Sequence, residues 1–314
     1  MDFSRGAVLL DGGLGTLLEA RGHDLSDSLW SARLLASDPD AIRAAHAEYF
    51  AAGAQVAITA SYQVGFDAFA RLGFSAGDTE DLLRESVALA ASARSAAQAA
   101  QAAPAATTDG RPRWVAASVG PYGATLGDGS EYRGHSGLSR AELRRWHERR
   151  FGVLASSGAD VLACETIPSL DEGAALADLA RGSGASAWLS FTVAGGRLRS
   201  GEPMAEGFAL AESAAEVVAV GINCSHPAEV PGALAAAAKV TDRPVLVYPN
   251  SGEVWDAARR VWRGASGFSG GSVASWVAAG AAGVGGCCRV GPAEIAAMRH
   301  VVHAESSADD PRTR

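Results

Sequence analysis

Eight short runs of apolar and β-branched residues recur along this chain, and between them lie longer segments punctuated as helices. The runs are AVLLDG (7 to 12), QVAITAS (55 to 61), WVAASVG (114 to 120), DVLACET (160 to 166), AWLSFTV (187 to 193), VAVGINC (218 to 224), PVLVYPN (244 to 250) and AGVGGCC (282 to 288). Strands that alternate with helices build a parallel sheet, and eight of them close it into a single (β/α)8 TIM barrel of the α/β class. The 314 residues suit one such barrel.

Helix signals support the alternation. Asp38 followed by Pro39 opens DPDAIRAAHAEYFAAGA, which Gly53 closes. Ser139 with Glu142 predicts a capping box, and Ser169 with Glu172 repeats the spacing. Residues 93 to 113 read as a helix that fades into a polar loop, and the last residues as a disordered tail. The domain reading is one barrel over 1–303 and a tail over 304–314.

The N-terminus lacks a cationic stretch followed by a long apolar run, and no window approaches about 18 uninterrupted apolar residues. A cytoplasmic protein with no membrane partner is expected. Net charge is −8 and the pI is near 5.4, which argues against nucleic acid as a partner. The one basic cluster, RRWHERR (144 to 150), reads as a solvated helix face. Lys239 is the only lysine and falls outside the strands, which disfavours Schiff-base chemistry.

Barrel active sites lie where the strands end, at their C-terminal face. The strand ends carry Asp11-Gly12-Gly13, Ser61-Tyr62-Gln63, Gly120-Pro121-Tyr122, Glu165-Thr166, Asn223-Cys224, Asn250-Ser251-Gly252 and Gly286-Cys287-Cys288. Three of the four cysteines therefore meet at one rim: Cys224 from the sixth strand, Cys287 and Cys288 from the eighth. A disulfide between neighbouring residues closes a small strained ring. Two readings remain, a soft three-thiolate site for Zn²⁺ with one coordination position open, or a vicinal redox pair at Cys287-Cys288. Adjacent ligands require the chain to leave strand geometry, and Gly285 and Gly286 would permit that turn, with Gly283 easing the approach. Cys164, one residue before Glu165, reads as a small buried hydrophobe. His226, followed by Pro227, reads as part of a helix-opening loop.

Taken together, DGGLGTLLEARG (11 to 22), ITASYQ (58 to 63), GPYGATLGDGSEYRG (120 to 134), ACETIPS (163 to 169), GINCSHP (221 to 227), YPNSGEVWD (248 to 256) and GGCCRVGP (285 to 292) resemble the homocysteine S-methyltransferase family, over about residues 8 to 298. Within it they resemble the bacterial and plant members that use S-methylmethionine. The resemblance implies a zinc-dependent TIM barrel, with Cys224, Cys287 and Cys288 as ligands, that transfers a methyl group to L-homocysteine and gives methionine.

It further implies that Asp11 and Glu165 hold the homocysteine ammonium and the Gly12-Gly13 amides its carboxylate. For the donor, Tyr62 could offer its ring or hydroxyl to a sulfonium, and Glu131, in the insert GDGSEYRG (127 to 134), its carboxylate; Asn223 and Ser251 would line the floor. Tyr122 and Tyr132 are weaker candidates. Relatives continue the insert as YRGDY, whereas this chain has His135 and Ser136, which bears on donor contacts. S-methylmethionine is the favoured donor and S-adenosylmethionine the second, with selenocysteine or another thiol as possible acceptors. No protein general acid is expected, since a thioether leaving group takes no proton. A non-catalytic zinc-binding or redox barrel is the alternative. Neither the composition nor the pattern asks for a second copy, and a monomer is expected.

Overall fold

In the computed structural model all residues are described except 2, 4–5, 25–29, 102–109, 257–260, 265–266, 268 and 309–314. Each of the eight runs forms a strand: β1 Val8–Leu9, β2 Val56–Ile58, β3 Trp114–Val119, β4 Val161–Ile167, β5 Ala187–Phe191, β6 Val217–Asn223, β7 Val245–Tyr248 and β8 Ala281–Val284. They pair in parallel and in sequence order, and β1 pairs with β8 through Leu9 and Val284. A bridge between Leu10 and Val56 joins β1 to β2 and closes the ring.

Side chains alternate across each strand, so the barrel has two apolar compartments. Val8, Leu10, Val56, Val161, Trp188 and Leu246 belong to the cluster that fills the interior. Leu9, Val115, Leu162 and Leu189 belong to the larger cluster shared with the helices. Cys164 sits in that outer compartment, where burial pushes its thiol far above the ordinary range. It is the inert small hydrophobe that the sequence suggests.

The helix signals are met, with one change. Asp38 accepts a hydrogen bond from the Ala41 amide at the start of the helix Pro39–Ala52, and Gly53 ends it with a φ of 111°. Such a C-terminal turn favours glycine. Ser139 and Glu142 form the reciprocal capping box of the helix Arg140–Ala155. Ser169 caps the helix Leu170–Ala180 through the Glu172 amide, but the Glu172 carboxylate turns away from the cap. It accepts from the Tyr122 amide at 2.6 Å and pairs with His147 at 2.8 Å.

The basic run RRWHERR is also more than a solvated face. Arg144 and Arg149 pair with Glu148 and Glu80 on the outside, while His147 and Arg150 are buried, at 0% and 1% exposure. The long helix Ala76–Gln101 covers the start of the expected fading segment, whose residues 102–109 lie outside the described ones. The last helix, Pro292–Ala308, runs through 304–308; the rest of the expected tail, 309–314, also lies outside the described residues. No helix among the described residues is long and apolar enough to cross a membrane.

At the N-terminal end of the barrel, polar side chains tie strands together. The Leu9 amide donates to Gln55 Oε1 at 3.1 Å. The Val115 amide and Arg94 both donate to Asp160 Oδ2 at 2.7 Å.

Candidate functional site

The C-terminal rim opens into a cleft whose lining includes Gly12, Tyr62, Glu131, Glu165, Asn223 and the three cysteines of β6 and β8. Cys224 follows β6 and takes a left-handed backbone with φ 46°. Cys287 and Cys288 follow β8 on a turn held from both sides. The Cys287 amide donates to Pro249 O and the Cys288 amide to Asn250 Oδ1, at 2.8 and 3.2 Å. Ser251 N donates to Cys288 O, while Gly286 N donates to Asp11 O. The loops after β7 and β1 thus frame the two adjacent cysteines.

The glycines before them serve by their size. Neither Gly285 nor Gly286 has a positive φ; the left-handed residue of this turn is Arg289, at 66°. A Cβ on Gly285 would meet Leu10 Cβ at 2.7 Å and Asp11 O at 2.9 Å, and one on Gly286 would overlap the Val290 side chain. The turn therefore packs against the end of β1 more closely than any side chain would allow.

The sulfur atoms of Cys224, Cys287 and Cys288 lie within 4.8 Å of one another. Among the described residues no other group of three or more Cys, His, Asp or Glu side chains is gathered closely enough to hold a metal. In this structure Cys224 and Cys287 are joined as a disulfide, with Cα atoms 5.5 Å apart, and Cys288 is a free thiol. The bonded pair spans β6 and β8, so the vicinal pairing of Cys287 with Cys288 is not formed. When reduced, three soft donors converge on one point, a set that suits a thiophilic divalent ion.

Two carboxyl groups lie at this rim: Glu165 lines the cleft, and Asp11 immediately precedes its lining residues Gly12 and Gly13. Asp11 is 1% exposed; its Oδ2 accepts from the Ile58 amide at 2.8 Å and its Oδ1 has no partner. Burial raises its carboxyl well above the usual carboxylate range, and the neighbouring Glu165 charge adds to this. Glu165 accepts from Ser118 Oγ at 2.5 Å, and burial pushes it up to about 7, against the hydrogen bonds from Ser118 and Tyr248. Burial disfavours the charged form of both carboxyl groups, and an arriving cation would restore it. The Gly13 amide, by contrast, is committed to Val290 O at 2.9 Å, so of the Gly12-Gly13 pair it is Gly12 that remains for a ligand.

Tyr62 and Glu131 line the same cleft. The Tyr62 hydroxyl and Glu131 Oε2 are buried without hydrogen-bond partners, and burial raises both groups above their ordinary values. Three polar atoms around one cleft, on Asp11, Tyr62 and Glu131, are thus left for a ligand. Among the described residues, none that lines the cleft carries a basic side chain.

Other expected residues are placed differently. Asn223 lines the cleft, but its amide is occupied: Oδ1 accepts from Thr166 N and Ser190 Oγ, and Nδ2 donates to Thr166 Oγ1, at 2.7 to 2.8 Å. Thr166 itself is left-handed, with φ 55°, so this side chain holds the turned end of β4 just beyond Glu165. Ser251 does not line the cleft; its hydroxyl bonds Glu253. Tyr122 packs edge-on against Trp146. His226 caps the following turn through the Ala228 amide, as the Pro227 beside it suggests. Of the two weaker tyrosine candidates, Tyr132 walls the cleft with Arg199 over its ring at 5.8 Å. A residue not singled out from the sequence, Tyr248, also lines it and accepts from Trp188 Nε1 at 2.9 Å. Tyr248 sits in PVLVYPN at a strand end, which was signal enough to find it.

Residues 8–302 match the family described as Homocysteine S-methyltransferase. Homocysteine S-methyltransferase 4 of Zea mays is 44% identical over 97% of this chain and 92% of its own. Selenocysteine Se-methyltransferase of Brassica oleracea var. italica is 43% identical over 93% of this chain and 88% of its own. Among solved structures, the Escherichia coli homocysteine methyltransferase MmuM superimposes in its metallated form with a TM-score of 0.81 at 41% identity, over 95% of this chain and 96% of that one. Its oxidized form gives 0.82 at 42% identity, over 94% and 95%.

Proposed function

The chain belongs to the homocysteine S-methyltransferase family, and from that premise we propose that it methylates the thiol of L-homocysteine from a sulfonium donor, S-methylmethionine first and S-adenosylmethionine second. The observation that carries this reading is the gathering of three convergent sulfurs and two buried carboxyl groups at one rim, in a cleft lined by no basic side chain among the described residues. Such a cleft accepts ammonium and sulfonium cations and offers nothing to a phosphorylated donor. Residues 1–303 act as one homocysteine-binding barrel. One chain carries every group named, consistent with action as a monomer, and three thiols at one site suit a reducing cytoplasm.

Cys224, Cys287 and Cys288 fit Zn²⁺, supplying three of the four donors it takes in tetrahedral sites. When bound, the ion supplies the positive charge that keeps a substrate thiol ionised at neutral pH, where a free thiol near ~8.5 is mostly protonated. Asp11 and Glu165 hold the homocysteine ammonium, each as a charge-assisted acceptor. The backbone at Gly12 lets its carboxylate approach. On the donor side, Glu131 takes the amino group and Tyr62 faces the sulfonium, an attraction of about 1 to 2 kcal/mol when water is excluded. Asn223 and Ser251 contribute by holding the strand ends that carry Glu165 and Cys288.

The homocysteine sulfur then attacks the methyl carbon in line. The bond from that carbon to the donor sulfur breaks with its electron pair, leaving a neutral thioether. No proton moves at the leaving group, and no residue of the cleft has to act as general acid. Alignment of two bound reactants can contribute roughly 7 kcal/mol or more to such a step.

The test is methionine formation by reduced, zinc-loaded protein, with S-methylmethionine, S-adenosylmethionine and betaine compared side by side. Turnover with a sulfonium and none with betaine is expected. Absence of turnover with either sulfonium would overturn the assignment.

A further inference from the structure

Arg150 is the least accounted-for charge in this barrel. It lies on the helix Arg140–Ala155, is 1% exposed, and has no carboxylate within ion-pairing distance among the described pairs. Its guanidinium is spent on three backbone carbonyls: Nη1 reaches Gly120 O at 2.7 Å, and Nη2 reaches Ser61 O and Tyr62 O at 2.7 and 2.6 Å. These acceptors lie just beyond the ends of β2 and β3. Burial lowers Arg150 only to about 10, so it is a cation at neutral pH.

A second feature locates the same aromatic ring. A Cβ on Gly120 would meet Tyr62 backbone O, and its ring Cδ2 and Cε2 at 2.6 and 2.8 Å. The ring of Tyr62 thus occupies the space that a side chain at 120 would take, while Arg150 holds the carbonyls on both sides of that contact. One turn earlier on the helix, His147 pairs with Glu172, whose carboxylate takes the Tyr122 amide. The helix therefore fixes both loops that border the side of the cleft with Tyr62 and Glu131. Among the described residues, no hydrogen bond of this helix reaches the cysteines.

We propose that Arg150 is a positioning residue for the methyl donor: by clamping Ser61, Tyr62 and Gly120 it sets the Tyr62 ring and hydroxyl toward the cleft. This rests on the reading that Tyr62 faces the donor. Arg150 touches neither substrate. It acts through a backbone geometry that lysine, with a single ammonium, reproduces in part and methionine does not.

Steady-state kinetics of the zinc-loaded protein with S-methylmethionine and homocysteine test it, for Arg150→Met, Arg150→Lys, Gly120→Ala and Tyr62→Leu. Loss of hydrogen bonds from a buried cation predicts a donor KM raised by about tenfold or more in Arg150→Met, with homocysteine KM changed less than about twofold. Arg150→Lys should recover part of the loss. Gly120→Ala, which displaces the Tyr62 backbone and ring while keeping the arginine, should show the same split, and it carries the test if Arg150→Met does not fold. Equal shifts in both KM values, or a lower kcat with both unchanged, would overturn the proposal by making Arg150 a general stabiliser of the strand ends. An unchanged donor KM in Tyr62→Leu would remove the reading beneath it, and the proposal with it.

Discussion

The two ends of the barrel use polar side chains in opposite ways. At the N-terminal end, Gln55 and Asp160 each accept a strand amide, and Asp160 holds Arg94 as well. At the C-terminal end, Asp11, Tyr62 and Glu131 each keep a buried polar atom without a partner. Leaving such an atom unmet costs about 1 to 3 kcal/mol, so the upper rim is less stable than its own side chains would permit. The contrast separates residues that hold the barrel from residues that wait for a ligand, and substitutions at the two ends should divide the same way.

The largest effect is expected at the thiols. Cys224→Ala or Cys288→Ala should abolish stoichiometric zinc binding and lower turnover on the order of 10³-fold or more, read by metal analysis and methionine formation. Asp11→Asn follows: removing one partner of a buried charge pair should raise the homocysteine KM about 100-fold while leaving the donor KM in place. If both KM values moved together, the division between the two substrate sides would fail.

Glu165 gives a pH test in the metal-free, substrate-free protein. Its carboxyl is held up to about 7, above the ordinary 4.5, so the folded chain binds this proton more tightly than the unfolded chain. Stability from this group is present below about pH 4.5 and is lost as pH rises toward 7. Glu165→Gln removes the titration. The variant should unfold later than the parent at pH 8, by on the order of 2 kcal/mol, and match it near pH 4.5; denaturant melts at the two pH values decide. On the donor side, Glu131→Gln should raise the donor KM about tenfold with homocysteine KM unchanged.

The smallest effect belongs to the other end. Asp160→Ala strips an acceptor from the Val115 amide and should cost about 1 kcal/mol of stability with kcat/KM unchanged. A kinetic effect there would break the comparison, because it would couple the tied end of the barrel to the waiting one.

The contrast also marks what could be read from the chain. Strand count, strand ends and the three thiols follow from period and position, because a parallel barrel sends every strand end to one face. The helix starts at Asp38 and Ser139 follow from local capping chemistry. Glu172 does not: its amide obeys the local rule while its carboxylate is recruited by Tyr122 and His147 from elsewhere. Arg150 likewise sits in a run whose composition indicates solvent, and only the packing of its helix turns it inward. Asn223 lies on the expected wall, but its engagement with Thr166 depends on a register irregularity between Cys164 and Ile167. Spacing gives the face a residue occupies; the partner it meets depends on neighbours tens of positions away.

The cysteine turn is built against the opening residues of the chain: Gly13 N donates to Val290 O, Gly286 N to Asp11 O, and Tyr49 Oη to both Gly13 O and Val290 O. During synthesis on the ribosome, a chain halted before residue 285 would hold Cys224 but neither of its companions, and the loop after β1 would have nothing to close upon. The seam between first strand and last is thus also a completion check, at which a chain that reaches residue 288 gathers all three thiols and one halted earlier cannot.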